Sequence, residues 1–202
     1  LPEARIERLD RDAVRSARRL AELLDGFSRG EIDVLVGTQM IAKGHHFPRV
    51  TLAGVVSADA GLGLPDFRAA ERTFQLLTQV AGRAGRGDRP GRVLIQAFRV
   101  EHPALQAAVH QDYEAFAGRE LAARESFHYP PASALANVIL EDRDRELARD
   151  RALHLAARIR EEGQGWVAVL GPTEAPIARI RERWRQQILV RAQRREIGRA
   201  HV

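Results

Sequence analysis

Apolar residues along the chain fall into two patterns, short continuous runs and longer stretches with a period of three to four residues. The continuous runs are typical of buried strands and lie at residues 32–36, 51–57 and 92–98. The periodic stretches are typical of helices and lie at residues 12–28, 68–86 and 102–125, the last as one or two helices. This alternation predicts a parallel sheet with right-handed crossovers. A polar entry segment is expected at residues 5–10, and a loop is expected at residues 61–65.

The first helix has recognisable signals at both of its ends. Asp12 is expected to cap its start, and Gly30 is expected to end it. Its predicted apolar face consists of Val14, Ala17, Ala21, Leu24 and Phe27. A short helix carrying Ala42 is expected after the first strand. On the helix at residues 68–86, Phe74 and Leu77 are expected to be buried.

A second domain is predicted after a strong helix-breaking segment. The sequence Tyr-Pro-Pro at residues 129–131 ends the preceding helix, because proline cannot continue one. We therefore predict domains at residues 1–126 and 127–202. The second domain is expected to contain strands at residues 134–140, 167–170 and 183–190 and a charged helix at residues 144–162. These elements predict a small α+β domain.

The amino-acid composition limits the classes of protein to which this chain could belong. The chain has 202 residues, 45% hydrophobic content and a net charge of +5, and Lys43 is its only lysine. An arginine-rich surface favours phosphate-bearing partners. There is no cysteine, so disulfides and thiolate metal sites are excluded. No apolar run approaches the roughly 18 residues of a membrane span, and no signal peptide precedes the first helix, which is typical of a cytoplasmic protein.

One glycine- and arginine-rich segment is the strongest candidate site. It reads QLLTQVAGRAGRG at residues 75–87 and contains Gln79, Gly82, Arg83, Gly85 and Arg86. Gln79, Arg83 and Arg86 follow an i, i+4, i+7 pattern and share one face if they are helical. Glycine permits close approach of the backbone to a ligand, and guanidinium groups match phosphate oxygens, so the pattern suits a polyphosphate. The residues alone also fit a solvated basic helix end, or a loop in loose contact with nucleic acid.

The same segment resembles motif VI of superfamily-two helicases, which has the form Q-x-x-G-R-x-G-R. Two neighbouring sequences are specific to a smaller group of proteins. GTQMIAKGHHFP at residues 37–48 and PDFRAAERTFQLLTQ at residues 65–79 resemble the PriA family of replication-restart helicases. The resemblance covers residues 5–190. It implies an α/β fold, with a RecA-like second helicase lobe followed by a small, truncated α+β C-terminal domain.

The resemblance implies roles for the residues of motif VI. Arg83 and Arg86 would act as arginine fingers on the γ-phosphate of ATP, and Gln79 would couple ATP to DNA. Gly82 and Gly85 would lie beside the nucleotide. ATP with Mg²⁺ would be held mostly by a first lobe, because no Walker loop G-x-x-x-x-G-K-[ST] occurs in this sequence. We therefore expect the chain to be a fragment that does not hydrolyse ATP alone.

Motif V is expected to contact DNA. The resemblance assigns this contact to Thr38, Gln39, Lys43, Gly44, His45 and His46. Many relatives have an aspartate where His46 stands, so coupling through that aspartate is not expected, although paired histidines fit the PriA family. Two adjacent histidines on an extended segment point apart, and no cysteine completes a metal site, so none is predicted. The zinc of the family is expected in an insertion before this segment.

A run of alternating arginines is the remaining candidate. Arg179, Arg181, Arg183 and Arg185 would line one face of an extended strand, and Trp184 would point the other way. The resemblance implies that Arg183 and Arg185 contact DNA and the acidic tail of single-stranded-DNA-binding protein. The alternative is a solvated edge strand protected by its charges. Catalytic roles are not expected for the isolated carboxylates Asp59, Asp66 and Glu71, although Asp66 is a candidate cap for the helix after it.

The resemblance implies an intact protein that unwinds DNA at stalled replication forks and starts primosome assembly. The expected partners are forked and single-stranded DNA, single-stranded-DNA-binding protein and other primosome proteins, in the bacterial cytoplasm and near the nucleoid. Two alternatives remain, a non-catalytic DNA-binding scaffold and another translocase of the same superfamily. The pattern of the family would continue beyond Val202, and residues 197–202 resemble adapter-encoded sequence, so we assign them no function.

Overall fold

The structure is a computed structural model that describes residues 3–10, 16–42, 47, 49–82, 90–163 and 165–193. The chain forms two compact units, Leu1–Ala117 and Gly118–Val202. The domain boundary expected between residues 126 and 127 stays a prediction. Each unit has its own strands, helices and buried core.

Two pairs of parallel strands form the first unit's sheet structure. Strand β1 (Ile6–Leu9) pairs with β2 (Val34–Gly37), and β3 (Leu52–Val55) pairs with β4 (Arg92–Ile95). The prediction of parallel strands is confirmed, but no strand was predicted at residues 5–10, the expected polar entry segment, which contains β1. Leu9 is fully buried and anchors this strand beside β2, whereas its other apolar residue, Ile6, is exposed.

Helix α1 (Ala17–Arg29) connects β1 and β2 and begins later than predicted. Its N-cap is Ser16, whose hydroxyl accepts the Arg19 N–H, and the predicted cap Asp12 lies outside the described residues. Gly30 ends the helix as predicted, with a positive φ of 79° that a glycine adopts without strain.

The buried face of α1 differs from the predicted one. Ala17 and Ala21 are exposed, whereas Leu23 is buried, at 3% of its full exposure. Phe27 packs edge-on against Phe47, with ring centroids 5.0 Å apart. The larger side chains thus fix the rotation of the helix, and the two alanines that shared the predicted period turn to solvent.

Four further helices and one 3₁₀ turn complete the first unit's elements. They are α2 (Gln39–Ala42), a 3₁₀ helix (Ala60–Gly63), α3 (Ala69–Ala81), α4 (Pro103–His110) and α5 (Tyr113–Ser126), which begins in this unit and continues into the second unit's residues. The predicted short helix at Ala42 and the predicted helices after residue 102 are confirmed, the latter as two helices. The segment expected to be a loop at residues 61–65 contains the 3₁₀ turn.

The core of the first unit is built on α3 and α4. Phe74 and Leu77 are buried at 4% and 1% exposure, which confirms the prediction for both. The ring of Phe74 stacks on that of Phe116, with centroids 4.2 Å apart and planes nearly parallel. Leu105 packs into the same cluster. This core fixes the position of α3, the helix that leads into the glycine- and arginine-rich segment.

The second unit is a three-stranded antiparallel sheet covered on one face by a helix. Its strands are β5 (Ser133–Asp142), β6 (Val167–Ile180) and β7 (Arg183–Gln193), in the order β5-β7-β6, and its helix is α6 (Arg145–Gly163). Ala152 and Ala156 of α6 and Ile188 of β7 are fully buried between them. The predicted α+β domain is confirmed, but β6 is much longer than the residues 167–170 predicted. It bends at two register irregularities, and the positive φ of 95° at Gly171 lies beside the first.

Candidate helicase motifs and a basic hairpin

The structure describes only part of the motif VI segment. Gln79 lies on the last turn of α3 and is exposed, on the side away from the core residues Phe74 and Leu77. Its side chain makes no hydrogen bond with the part of the chain that the structure describes. An exposed amide at this position is free to meet a ligand.

The predicted helix is longer than the observed one. Helix α3 ends at Ala81, where the N–H of Gly82 donates to the carbonyl of Thr78 and closes the last turn. The helical face predicted to join Gln79, Arg83 and Arg86 stays a prediction, because the described part of the helix stops before both arginines. Arg83, Gly85 and Arg86 lie outside the described residues, so their phosphate-binding roles stay predictions.

Motif V begins at the carboxyl end of β2. Gly37 pairs with Leu9 of β1 at this end, and a side chain on Gly37 would collide with the Leu9 carbonyl. Thr38 and Gln39 follow immediately, and both are exposed. The carboxyl ends of parallel strands are the usual place for ligands in α/β sheets, which suits a binding role for both side chains.

The rest of motif V is not described. Lys43, Gly44, His45 and His46 lie outside the described residues, and their expected contacts with DNA stay predictions. Within the described ranges, no group of three or more His, Cys, Asp and Glu side chains is arranged to hold a metal ion.

The carboxylates near α3 have structural partners. Asp66 accepts the Arg68 N–H at 2.9 Å and pairs with the Arg72 guanidinium at 2.8 Å, so it orders the chain entering α3. Asp59 accepts the N–H groups of Phe98 and Arg99. Burial alone would raise the pKa of Asp59, but these hydrogen bonds outweigh it and hold the pKa below its ordinary value. Both carboxylates therefore have structural roles, in the segment before α3 and in the chain after β4.

The alternating arginines do not lie on one strand. Strand β6 ends just after Arg179, and Arg181 and Glu182 form the turn to β7 with positive φ angles of 48° and 63°. Two central residues with positive φ are typical of a type I′ hairpin turn. Arg183 then begins β7, opposite Ile180. The prediction of one basic strand face is therefore wrong, and the arginines belong to the tip of a β-hairpin.

The arginines of this hairpin differ in their partners. The Arg185 guanidinium donates to Glu141 at 2.9 Å and to the Ile177 carbonyl at 3.4 Å. Arg183 is exposed and makes no hydrogen bond or ion pair with the described residues. Of the two arginines expected to contact DNA, Arg183 thus has the freer guanidinium, and Arg185 would have to exchange its carboxylate partner for a phosphate.

Two arginine guanidinium groups lie over the ring of Trp184, an arrangement that was not predicted from the sequence. The Arg179 guanidinium lies 5.3 Å from the centre of its ring, and the Arg145 guanidinium of α6 lies 5.1 Å away. Arg145 was not among the predicted site residues, because its contact with β7 links positions that are far apart in sequence. The alternation along β7 is the one signal that placed Trp184 on the face opposite Arg183 and Arg185.

Two family models match the chain, one in each half. The helicase conserved C-terminal domain matches residues 3–88, and the primosomal protein N C-terminal domain matches residues 125–201. No helix among the residues described here is long and apolar enough to cross a membrane.

Individual relatives agree with both models. The chain is 44% identical to the replication restart protein PriA of Bacillus subtilis (strain 168) over 191 residues, which is 95% of this chain and 24% of that protein. It is 45% identical to the protein of the same name from Treponema pallidum (strain Nichols), covering 95% of this chain and 29% of that protein. The chain thus spans about a quarter of the length of the curated relatives it matches.

Proposed function

The chain belongs to the PriA family of replication restart proteins, and from this premise we propose that it supplies the ATP-sensing second lobe and the C-terminal domain of an ATP-dependent DNA helicase. The observation that carries the proposal is the end of α3. This helix is anchored by Phe74 and Leu77, exposes Gln79, and ends at Gly82 directly before the sequence Arg-Ala-Gly-Arg.

The proposed chemistry is charge stabilisation. ATP, bound with Mg²⁺ mostly by a first lobe, supplies the γ-phosphoryl group for transfer to water. Arg83 and Arg86 approach its oxygens with fixed positive charge, which stabilises the transition state because negative charge is spread over these oxygens. Gln79 lies one turn earlier and links this contact to the DNA-binding surface.

The proposed DNA contacts come from both units, each considered separately. In the first unit, Thr38 and Gln39 meet DNA phosphates at the carboxyl end of β2, and the motif V residues from Lys43 to His46 continue the contact. In the second unit, Arg183 at the hairpin tip binds a phosphate or an acidic peptide. These contacts fit forked and single-stranded DNA, the acidic tail of single-stranded-DNA-binding protein, and assembly with other primosome proteins.

ATP hydrolysis by this chain and by the intact protein tests the proposal. With single-stranded DNA present, we expect hydrolysis by the intact protein and none above background by residues 1–202 alone, because the sequence has no Walker loop to hold the phosphates. DNA binding by both proteins is measured in parallel by fluorescence anisotropy. DNA-stimulated hydrolysis by the isolated chain would contradict the proposal, and its absence from the intact protein as well would favour a non-catalytic scaffold.

A further inference from the structure

A polar cavity lies between the start of α6 and the strands β6 and β7. Its volume is about 400 Å³, within the range of roughly 300–1,000 Å³ typical of small-molecule sites. Its lining includes Arg145, Arg149, Leu153, Pro172, Glu174 and Gln186. All of these residues belong to the second unit, and the cavity is on the sheet face that α6 covers, opposite Arg183.

The cavity is lined by a buried amide, Gln186, that has no hydrogen-bond partner in the part of the chain that the structure describes. Gln186 is 6% exposed and lies on the same face of β7 as the fully buried Ile188. Its side chain makes no hydrogen bond with the residues that the structure describes. Buried amides in folded proteins are nearly always hydrogen-bonded, because water no longer satisfies them. The donor and acceptor of this amide are therefore available to a ligand that enters the cavity.

Two arginines at the cavity differ in how firmly they are held. Arg145 donates through both Nε and Nη2 to a single oxygen, Oε1 of Glu174, at 3.0 and 2.6 Å. Its guanidinium also lies against the Trp184 ring, so its position is fixed. The Arg149 guanidinium is only 3.9 Å from Glu146, and both side chains are well exposed. Such a contact is weak, so Arg149 is available to a phosphate at the mouth of the cavity.

The chemistry of these groups selects the ligand. A glutamine amide presents a donor and an acceptor side by side, which matches the edge of a nucleobase, as in the pairing of glutamine with adenine. We propose that the cavity receives one nucleotide of single-stranded DNA, with the base paired to Gln186 and a phosphate on Arg149. This inference rests on the proposed function, in which the second unit contacts DNA, and adds a base-binding site away from the hairpin tip.

The test compares two strands that differ only in their bases. The intact protein is titrated by fluorescence anisotropy with labelled oligo(dA) and with an abasic strand of equal length. We expect oligo(dA) to bind about tenfold more tightly, since one well-paired base contributes about 1–3 kcal/mol. Gln186→Leu should remove this preference and leave the affinity for the abasic strand unchanged. Its fold is checked by thermal unfolding, and loss of an unpaired amide should not lower its stability.

Matched variants on α6 keep the test decisive. Arg149→Ala should lower the affinity for both DNA strands. It should also lower the slope of log affinity against log salt by about one. Arg158→Ala removes an arginine at the other end of α6, where it pairs with Glu162 at 2.7 Å, and should change neither affinity.

The outcomes separate this inference from the proposed function. If the intact protein binds neither strand, the proposed DNA-binding function fails. If it binds both strands with equal affinity, or if Gln186→Leu keeps the preference for oligo(dA), only the nucleotide site is overturned. Equal loss of affinity in Arg149→Ala and Arg158→Ala would overturn the phosphate contact. If an acidic peptide displaces oligo(dA) from the wild type but not from Gln186→Leu, the cavity binds a peptide and the nucleotide site is overturned.

Discussion

Replacing Arg86 by alanine in the intact protein is expected to lower DNA-stimulated ATP hydrolysis by about 10³-fold. In the proposed mechanism the guanidinium stabilises charge that develops on the γ-phosphate in the transition state, and alanine offers no substitute. DNA affinity should be retained, because the proposed DNA contacts belong to other residues. Hydrolysis is measured as steady-state phosphate release at saturating single-stranded DNA, and affinity by fluorescence anisotropy.

Arg72→Ala is the control for this variant. Arg72 is an exposed arginine on α3 that pairs with Asp66 at 2.8 Å, and it lies seven residues before Gln79, the first residue of the motif. Its removal should leave hydrolysis close to that of the wild type. Unchanged hydrolysis in Arg86→Ala would contradict the arginine-finger role and favour a scaffold. Equal losses in the two variants would show a general effect of removing positive charge.

Replacing Leu77 by alanine is expected to lower the free energy of unfolding of the first unit by about 2–5 kcal/mol. Leu77 is 1% exposed and packs with Phe74 and Leu105, so its removal leaves a cavity that the surrounding helices fill only in part. The effect matters for function because α3 leads into motif VI. Urea unfolding of the 202-residue chain, followed by circular dichroism, measures the change.

Leu64→Ala makes the same chemical change on the surface. Leu64 is 59% exposed, beyond the 3₁₀ helix of the same unit. Its replacement should alter the unfolding free energy by no more than about 0.5 kcal/mol. Similar losses in the two variants would contradict the assignment of Leu77 to the core.

Much of the first unit could be predicted because its signals are local. Gly30 ends α1 through a left-handed conformation that favours glycine, and Phe74 and Leu77 follow the helical period that buries them. Strand β1 was not predicted because it is short and carries only two apolar residues, Ile6 and Leu9. It forms by pairing with β2, whose residues lie far along the chain, and such non-local pairing leaves no trace in the local pattern.

The prediction that the alternating arginines line one face of a strand was wrong for a different physical reason. Alternating arginines have the period of a strand, but the chain reverses at Arg181 and Glu182. Neither residue is a glycine or asparagine, the usual signals of a turn with positive φ, so the sequence gives no warning of it. The hairpin then brings Arg179 onto Trp184 and leaves Arg183 exposed, an arrangement that depends on pairing across the turn.

At the end of α3, helical periodicity and the family motif were both used to assign residues to the site. The spacing of Gln79, Arg83 and Arg86 suggested one helical face, but Gly82 closes the helix before either arginine. Both arginines lie outside the described residues, so their assignment to phosphate binding rests on the motif that they complete. The exposure of Gln79 was predictable from its place opposite the buried face of the helix.

The most direct test of the central claim is the sequence of the same open reading frame upstream of the Leu1 codon. The account predicts a Walker loop of the form G-x-x-x-x-G-K-[ST], an acidic motif that binds Mg²⁺, and a cluster of paired cysteines. The Walker loop and the acidic motif would bind the ATP, with its Mg²⁺, that Arg83 and Arg86 are proposed to contact. A frame that encodes neither the Walker loop nor the acidic motif would contradict the claim, because the two arginines would then have no γ-phosphate to stabilise.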